Sequence, residues 1–435
     1  MTLRTHYSSQ ISEKDDNKKV VVAGWIQKLR DLGKIKFIVL RDRDGEIQIT
    51  IKDSEELAKI YARLVRESVI SVAGIVKKNS SAPGGREIFP DKIIVLSQAE
   101  SPLPLETDAH IQSSLDKRLD FRPIDLRLPR NRAIFKVQST LIQEMQAFLK
   151  SRDFMQIFTP CIMGVTSEGG AEVFPVVYFD KEAFLRQDPQ LHRQLSIAGG
   201  LEKVYDIGPA WRAEQSHTTK HMCEHRVMAV ETSFIENEYD VMELQESLVS
   251  YAMEKLKKDC PAELEMFNAT IEIPRKFPVL EFPKIYDILK ELGEKLPRGE
   301  DLTTAAEKNL GEYVKEKYKS DFFFVNRFPF AVKPFYVMRV DDEPEWARST
   351  DLIFRGIEMS SGGQREHRYN KIIEQAKIKK MKLESINWFA DFFRYGVPPH
   401  GGFALGIERL TMQILGLENV REATLFPRDT ERLVP

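Results

Sequence analysis

The stretch VYDIGPAWRAEQSHTTKH, residues 204–221, reads as an apolar strand that enters a polar loop. Arg212 and Glu214 stand two residues apart in it, and side chains at that spacing on a strand point to the same face. A planar guanidinium suits a phosphate, whereas a neighbouring carboxylate suits an amine or a metal ion. Most strand pairs of this kind are solvated ion pairs, so the stretch predicts a phosphate site only in combination with others.

Two later stretches supply that combination. In HGGFALGIERLTMQILGL, residues 400–417, a Gly-Gly turn and a short apolar run lead into a helix predicted to begin near Glu408 and Arg409. DLIFRGIEMSSGGQREHR, residues 351–368, precedes it. The stretches at 204–221 and 400–417 resemble motifs 2 and 3 of the class II aminoacyl-tRNA synthetases, and residues 351–368 are similar to the aspartate branch of that class in its archaeal form. The resemblance covers nearly the whole chain.

The composition predicts a soluble globular protein of about two or three domains. Hydrophobic residues make up 42% of the 435 and charged residues 30%, which is ordinary for that class. The net charge of -2 confines any nucleic-acid contact to local basic patches. Three cysteines without a CxxC spacing favour a reducing, cytoplasmic compartment. The sequence contains neither the apolar core of a signal peptide nor a run long enough to span a membrane.

Residues 1–103 are predicted to form a five-stranded barrel. Five short runs rich in Val and Ile, bounded by Gly, Asp and Pro, read as strands. A helix is predicted between the third and fourth strands, with Asp53 as its cap and Glu56 three residues later. This order is that of the OB-fold, which often binds single-stranded nucleic acid. A barrel that only stabilises its neighbour is the alternative.

The remainder is predicted to be an α+β catalytic domain, residues 132–435, joined through a hinge at 104–131. The hinge is rich in proline and basic residues with little helical period, so it reads as a solvated face or a tRNA backbone contact. From Ile134 an apolar stripe predicts a helix that ends near Arg152. The resemblance implies that this helix belongs to motif 1, that the chain is a homodimer, and that the domain is built on a largely antiparallel sheet flanked by helices. Residues 236–319 read as a helical insertion.

The resemblance implies a two-step reaction that uses ATP and Mg²⁺. An amino-acid carboxylate attacks the α-phosphate of ATP, and a ribose hydroxyl at the tRNA 3′ end then attacks the adenylate. Because the first nucleophile is already ionised, that step needs positioning and cations rather than a strong base. The resemblance implies two catalytic arginines, Arg212 for the α-phosphate and Arg409 for the γ-phosphate. Around the nucleotide it implies Glu214 near adenine, His225 stacked on adenine, and His221 for the terminal phosphates or the tRNA acceptor end. It implies Asp351 and Glu358 as metal ligands, with Glu358 also contacting ATP.

The amino-acid pocket implied by the resemblance is one for L-aspartate. Its residues are Glu168 for the α-ammonium, Gln190, Arg193, Arg365 for the side-chain carboxylate, and Ser361, which is also a candidate contact for metal or phosphate. Four positions depart from the family pattern. Asp188 replaces a serine, Arg193 a lysine and Ala229 an aspartate, and His225 stands where the family has the aromatic residue that stacks on adenine. Either Asp188 and Arg193 form a compensating pair and aspartate remains the substrate, or the pocket is rebuilt for asparagine, another amino acid or an unusual carrier.

In the barrel, the resemblance implies anticodon contacts by Phe37, Gln48 and Glu87. Related enzymes differ in whether they read the first anticodon base strictly or also charge the asparagine tRNA. Pro83 resembles the residue found in the second, relaxed group, whereas Gln27 fits neither group. Charging of tRNA(Asp) alone or of tRNA(Asn) as well therefore stays open. A noncatalytic RNA-binding relative is a third reading, disfavoured because the phosphate-binding arginines and both metal-binding carboxylates are present.

Overall fold

The computed structural model describes residues 2–108, 111, 113–165, 173–213 and 218–435. Contacts between residues divide the chain into two units, Met1–Glu106 and Thr107–Pro435. The domain boundaries expected at residues 103 and 131 stay predictions. Within the described ranges, no helix has both the length and the apolar character that a membrane crossing requires.

The N-terminal unit contains a closed five-stranded barrel, which confirms the OB-fold prediction. Its elements are β1 (Lys19–Leu32), β2 (Ile35–Arg41), β3 (Glu46–Lys52), α1 (Glu55–Tyr61), β4 (Val69–Lys78) and β5 (Arg86–Ser97). Around the barrel the strands follow the order β1-β2-β3-β5-β4. Val20, Val22 and Ile26 of β1 are buried at even spacing, because successive side chains of a strand alternate between the interior and the surface.

Helix α1 begins one residue later than the sequence suggested. Ser54 caps it, since its side chain accepts a hydrogen bond from the N–H of Leu57. The prediction that Asp53 is the N-cap of α1 was wrong. The φ of Asp53, 49°, lies in the left-handed region, whereas an N-cap residue has extended backbone angles.

The larger unit is built on an eight-stranded sheet. Its strands, with those of a small accessory sheet, are β6 (Met155–Gln156), β7 (Ile162–Met163), β8 (Pro175–Tyr178), β9 (Lys181–Leu185), β10 (Lys203–Trp211), β11 (Glu224–Ser233), β12 (Val279–Glu281), β13 (Phe322–Asn326), β14 (Ser349–Phe354), β15 (Ile357–Arg365) and β16 (His400–Gly406). The large sheet has the order β12-β13-β14-β15-β16-β11-β10-β6. In this order, every neighbouring pair between β13 and β10 is antiparallel. The two pairs at the edges of the sheet, β12 with β13 and β10 with β6, are parallel. The prediction of a largely antiparallel sheet is confirmed.

Helices cover this sheet. They are α2 (Leu115–Asp120), α3 (Arg122–Asp125), α4 (Pro129–Ser151), α5 (Gln190–Ala198), α6 (Glu238–Asp259), α7 (Pro261–Glu265), α8 (Lys284–Glu291), α9 (Thr304–Tyr318), α10 (Tyr369–Ile378), α11 (Asn387–Ala390) and α12 (Ile407–Leu415). Helix α4 begins at Pro129 rather than Ile134, because proline is pre-organised for a first helical turn. Its predicted apolar stripe is buried in one core with α6 and the sheet.

The expectation of little helix in the hinge segment was wrong, since α2, α3 and the start of α4 lie there. Arg122 gives the physical reason. Its fully buried guanidinium donates hydrogen bonds to the backbone oxygens of Glu422, Thr424 and Leu425 and pairs with Asp125 at 2.6 Å. A basic residue that the sequence suggested was solvated therefore fixes these short helices to the C-terminal segment.

Candidate active site

A cavity of about 520 Å³ lies on the sheet face opposite the main core. Alternation along the strands separates the two faces. Met228 of β11 and Phe403 of β16 point into the core, whereas Val227 and Ala404 line the cavity. The antiparallel centre of the sheet thus forms the floor on which the functional side chains stand.

Most of the predicted site residues meet in this cavity. Its lining includes Gln190, Arg212, His221, His225, Glu358, Ser361, Arg365 and Arg409. Arg193 and Asp351 are buried immediately behind lining residues, to which hydrogen bonds or ion pairs join them. Glu168 and Glu214 lie outside the described residues.

The hairpin of β14 and β15 positions the predicted metal-binding carboxylates. Its tight turn requires positive φ at both central residues, with 50° at Arg355 and 71° at Gly356. Across the hairpin Asp351 faces Ser361, and a register shift near Ile353 precedes Glu358. Residues that are seven apart in sequence thereby come to one end of the cavity.

Two arginines approach the cavity from different elements. Arg212 follows the last residue of β10, and its N–H still donates to the Cys223 oxygen at 3.0 Å. Arg409 lies in the first turn of α12, and its Nη1 donates to the Glu358 backbone oxygen at 2.9 Å. Arg212 is thus not on the strand proper, and the same-face argument with Glu214 stays a prediction. Both side chains line the same cavity.

His225 offers a flat, uncharged ring in this cationic surrounding. Burial, and after it the neighbouring Arg212 and Arg409, together lower the pKa of His225 to about 3. The imidazole is therefore neutral at physiological pH. A neutral ring beside arginines suits stacking against a purine.

The acidic end of the cavity contains a lysine that the sequence did not single out. Lys333 Nζ lies 3.0 Å from Asp351 Oδ2, and both side chains are more than nine-tenths buried. Burial and Glu358 raise the pKa of Asp351, whereas Lys333 and Ser361 lower it, and the net result is a pKa of about 7. Glu307 of α9 also lines this end, and its pKa is raised to about 7, first by burial and then by Glu358.

The other end of the cavity is a network of paired charges. Arg365 Nε donates to Glu231 Oε1 at 3.0 Å, and Arg365 Nη2 donates to Gln190 Oε1 at 3.1 Å and to the Gly402 oxygen at 3.1 Å. Gln190 Nε2 donates in turn to Glu231 Oε2 at 2.9 Å. The side chains of three separate elements are thus fixed relative to one another.

Asp188 and Arg193 form a bidentate ion pair in the same network. Arg193 Nη1 and Nη2 donate to the two carboxylate oxygens of Asp188 at 2.8 and 2.6 Å. Nη2 also donates to Gln190 Oε1 at 2.8 Å. Burial raises the pKa of Asp188, but Arg193 lowers it more, and the net shift is downward. The carboxylate is therefore ionised and paired, as the compensating-pair interpretation required.

Gly402 keeps the space that this network needs. A Cβ atom at this position would lie 1.9 Å from the Val230 backbone oxygen and 2.6 Å from Glu231 Oε2. Strand β16 lies between β11 and β15, so Arg365 must reach across it to contact Glu231. The second glycine of the HGGF segment therefore permits a cross-strand ion pair.

Sequence reasoning noted the loss of a carboxylate at Ala229 but missed Glu231 as its neighbour. Ala229 is buried on β11, and Glu231 lies two residues later, where the side chain points to the same face. The spacing in VMAVETSF contained this signal. Lys333 had no comparable signal, because it lies in an irregular segment with no periodic pattern.

In the barrel, two of the three predicted anticodon-binding residues contact each other. Gln48 Nε2 donates to Glu87 Oε2 at 3.0 Å, and Thr50 and Asn79 also donate to this carboxylate. Phe37 is half-buried on β2, with Thr50 as its register partner on β3. The three residues therefore lie on adjacent barrel strands.

Comparison with known families matches both units of this architecture. Residues 114–430 match the family described as tRNA synthetases class II (D, K and N), and residues 20–96 match the OB-fold nucleic acid binding domain. The chain belongs to the class II tRNA synthetases. It therefore carries an aminoacyl-tRNA synthetase fold.

Individual relatives cover the chain from end to end. It is 45% identical to the aspartate–tRNA(Asp) ligase of Pyrococcus horikoshii, with all of both chains covered. It is 43% identical to the aspartate–tRNA(Asp/Asn) ligase of Archaeoglobus fulgidus, with 99% of each covered. The asparaginyl-tRNA synthetase of Pyrococcus horikoshii, solved with asparaginyl-adenylate, superposes with a TM-score of 0.93 at 33% identity over the full length of both chains.

Glu408 makes the stability of the unliganded protein depend on pH. Its carboxylate accepts the Arg226 N–H at 2.9 Å, and burial raises its pKa to about 7 from the usual 4.5 of a glutamate. The folded state therefore retains a proton that the unfolded state loses above pH 4.5. The contribution of this group is complete below that pH and is lost as the pH rises towards 7, with a slope of at most about 1.4 kcal/mol per pH unit.

Glu408→Gln is expected to flatten this dependence, because the amide still accepts the N–H but cannot ionise. Urea unfolding at pH 5 and pH 7.5, without nucleotide or metal, measures it. Glu418→Gln, a change at an exposed residue just beyond the same helix, is the matched control. An unchanged pH slope in the Glu408 variant would contradict the assignment.

Proposed function

We propose that the protein attaches L-aspartate to tRNA(Asp) by way of an aspartyl-adenylate, with ATP and Mg²⁺. The observation that carries this proposal is the division of one cavity into two ends. Arg212 and Arg409 with His225 form an end suited to ATP, and the network around Arg365 forms an end suited to a carboxylate side chain. The full-length similarity to an aspartate–tRNA(Asp) ligase supports the same assignment.

The first step requires charge stabilisation more than proton transfer. The attacking carboxylate of the amino acid is already ionised, and negative charge moves onto the phosphates as the bond to the α-phosphorus forms and pyrophosphate leaves. Arg212 is assigned to the α-phosphate and Arg409 to the γ-phosphate, with the N-terminus of α12 adding positive potential beside Arg409. His225 is assigned to stack on adenine. His221 is assigned to the terminal phosphates or the tRNA acceptor end, and Glu214 to the adenine side.

The residues at the acidic end fit magnesium. Asp351 and Glu358 supply carboxylate oxygens, and the buried Asp351 Oδ1 has no hydrogen-bond partner among the described residues. Magnesium prefers such oxygen ligands and completes its shell with water and phosphate oxygens. When bound there, it neutralises charge on the phosphates. Ser361, the register partner of Asp351, is a further contact at the boundary between this end and the amino acid.

Arg365 is the assigned partner of the aspartate side chain. Its Nε and Nη2 atoms hold Glu231, Gln190 and Gly402. Its Nη1 atom has no hydrogen-bond partner among the described residues, and Arg365 lines the cavity. A guanidinium fixed on two of its nitrogens offers its third to a carboxylate at low entropic cost. Gln190 and Arg193 support this arrangement, and Glu168 is assigned to the α-ammonium.

Asparagine is the second candidate substrate, and a specific observation favours it. Both arginines at this end already face carboxylates, Arg193 with Asp188 and Arg365 with Glu231. A charge-balanced pocket attracts a substrate carboxylate less than two unpaired cations would. The structural similarity to an asparaginyl-tRNA synthetase is consistent with this alternative.

The proposed partners follow from the barrel and the family. Phe37, Gln48 and Glu87 are assigned to the anticodon, and reading of tRNA(Asn) besides tRNA(Asp) is part of the proposal because an Asp/Asn ligase matches the full chain. A homodimer formed through the motif 1 region and a cytoplasmic location complete it. The three cysteines form no disulfide, which suits a reducing compartment.

ATP–pyrophosphate exchange with each standard amino acid tests the proposal. We expect exchange with aspartate and a loss of at least about a hundredfold in Arg409→Ala, because a charge-stabilising contact to the phosphates is removed. Arg421→Ala, at a half-buried arginine outside the cavity lining, is the control. Exchange with asparagine alone would show that asparagine, not aspartate, is the substrate. The absence of exchange with any amino acid would refute the proposal.

Asp188→Asn should increase the preference for aspartate over asparagine by about tenfold. The change leaves Arg193 without its counter-charge, so the pocket becomes more attractive to an anionic side chain; about 1.4 kcal/mol corresponds to that factor. The ratio of kcat/KM values in pyrophosphate exchange measures it, with Asp180→Asn at an exposed position as the control. An unchanged or reduced preference would mean that Asp188 does not set the charge that the substrate experiences.

A further inference from the structure

Lys333 is the buried cation of the cavity that the proposed reaction leaves without a role. It follows a short 3₁₀ helix, Phe330–Val332, and its side chain lines the cavity while remaining only 8% exposed. Its Nζ lies 3.6 Å from the centre of the Phe328 ring. An aromatic face stabilises an ammonium group that has lost much of its hydration, so Phe328 holds this charge on one side.

Asp351 holds the same ammonium on the other side. Lys333 Nζ donates to Asp351 Oδ2 at 3.0 Å. Two fixed neighbours give Nζ one position, and Nζ in turn fixes the rotation of the Asp351 carboxylate.

The two oxygens of Asp351 therefore differ. Oδ2 is held by Lys333, whereas Oδ1 is buried and has no hydrogen-bond partner among the described residues. A buried oxygen left without a donor is costly unless a ligand satisfies it. A cation between Asp351 and Glu358 would supply the missing partner.

We propose that Lys333 is a positioning residue that holds Asp351 through Oδ2 and thereby leaves Oδ1 oriented for the cation bound with ATP. The inference rests on the metal site of the proposed function and adds a residue to it. Carboxylates that bind metals are commonly oriented by hydrogen bonds from neighbouring groups, and removal of such a group typically lowers metal affinity about 10- to 100-fold.

The test is a titration of Mn²⁺ into the full-length protein in the presence of α,β-methylene-ATP, followed by electron paramagnetic resonance of free Mn²⁺. Lys333→Met keeps the length and the apolar stem of the side chain but removes the donor. We expect its half-saturating Mn²⁺ concentration to rise at least about tenfold. Lys333→Arg keeps a cationic donor and is expected to recover part of the affinity.

Lys379→Met is the matched control. Lys379 also packs over a ring, that of Phe330, and donates to the backbone oxygens of Phe330 and Ala331 at 2.6 and 2.7 Å. It therefore stabilises the same segment without contacting Asp351. Unchanged Mn²⁺ affinity in this variant, together with reduced affinity in Lys333→Met, separates orientation of the carboxylate from general packing.

Two results would overturn the inference in distinguishable ways. If the unaltered protein binds Mn²⁺ and Lys333→Met binds it equally well while the KM for aspartate or ATP rises, Lys333 contacts a substrate rather than Asp351. If the unaltered protein with nucleotide binds no Mn²⁺, the proposed metal site itself fails. Should Lys333→Met not fold, as thermal unfolding would reveal, Lys333→Leu, which removes the donor with a smaller apolar side chain, carries the test, and Mn²⁺ affinity equal to that of the unaltered protein would overturn the inference.

Discussion

The buried ion pair between Arg365 and Glu231 is the interaction on which the site depends. It joins β15 to β11 across β16, and it is possible only because Gly402 leaves the space between them. Breaking a buried pair by removing one partner typically costs about 3–5 kcal/mol, since the remaining charge is left uncompensated. The pair therefore constrains the strand register, the glycine in motif 3 and the direction of the Arg365 guanidinium at once.

Charge balance extends this constraint through the cavity. At one end Arg193 and Arg365 are each matched by a carboxylate, and at the other Lys333 is matched by Asp351. Arg212 and Arg409 line the same cavity beside an uncharged His225, and Arg409 Nη1 lies 3.7 Å from Glu358 Oε1. Selectivity for the amino-acid side chain then depends on the few donors that the paired arginines retain.

Much of the fold could be predicted from the sequence, because alternation in the first hundred residues and the stripe of α4 are direct consequences of burial. The meeting of Arg212, Glu358, Arg365 and Arg409 in one cavity followed from the order of the motifs. The sequence suggested the pairing of Asp188 with Arg193 as one of two alternatives. It could not choose between them, since the direction of a side chain depends on tertiary packing. Lys333 and Arg122 were missed because irregular segments and basic runs carry no periodic signal that distinguishes a buried cation from a solvated one.

The most direct test is a crystal structure with a non-hydrolysable aspartyl-adenylate analogue. The side-chain carboxylate of the analogue should contact Arg365 Nη1, the group that replaces the α-phosphate should contact Arg212, and the bidentate pair between Asp188 and Arg193 should remain intact. An analogue whose carboxylate displaces Asp188 from Arg193, or whose side chain lies away from Arg365, would contradict the assignment of the network around Arg365 as the aspartate site.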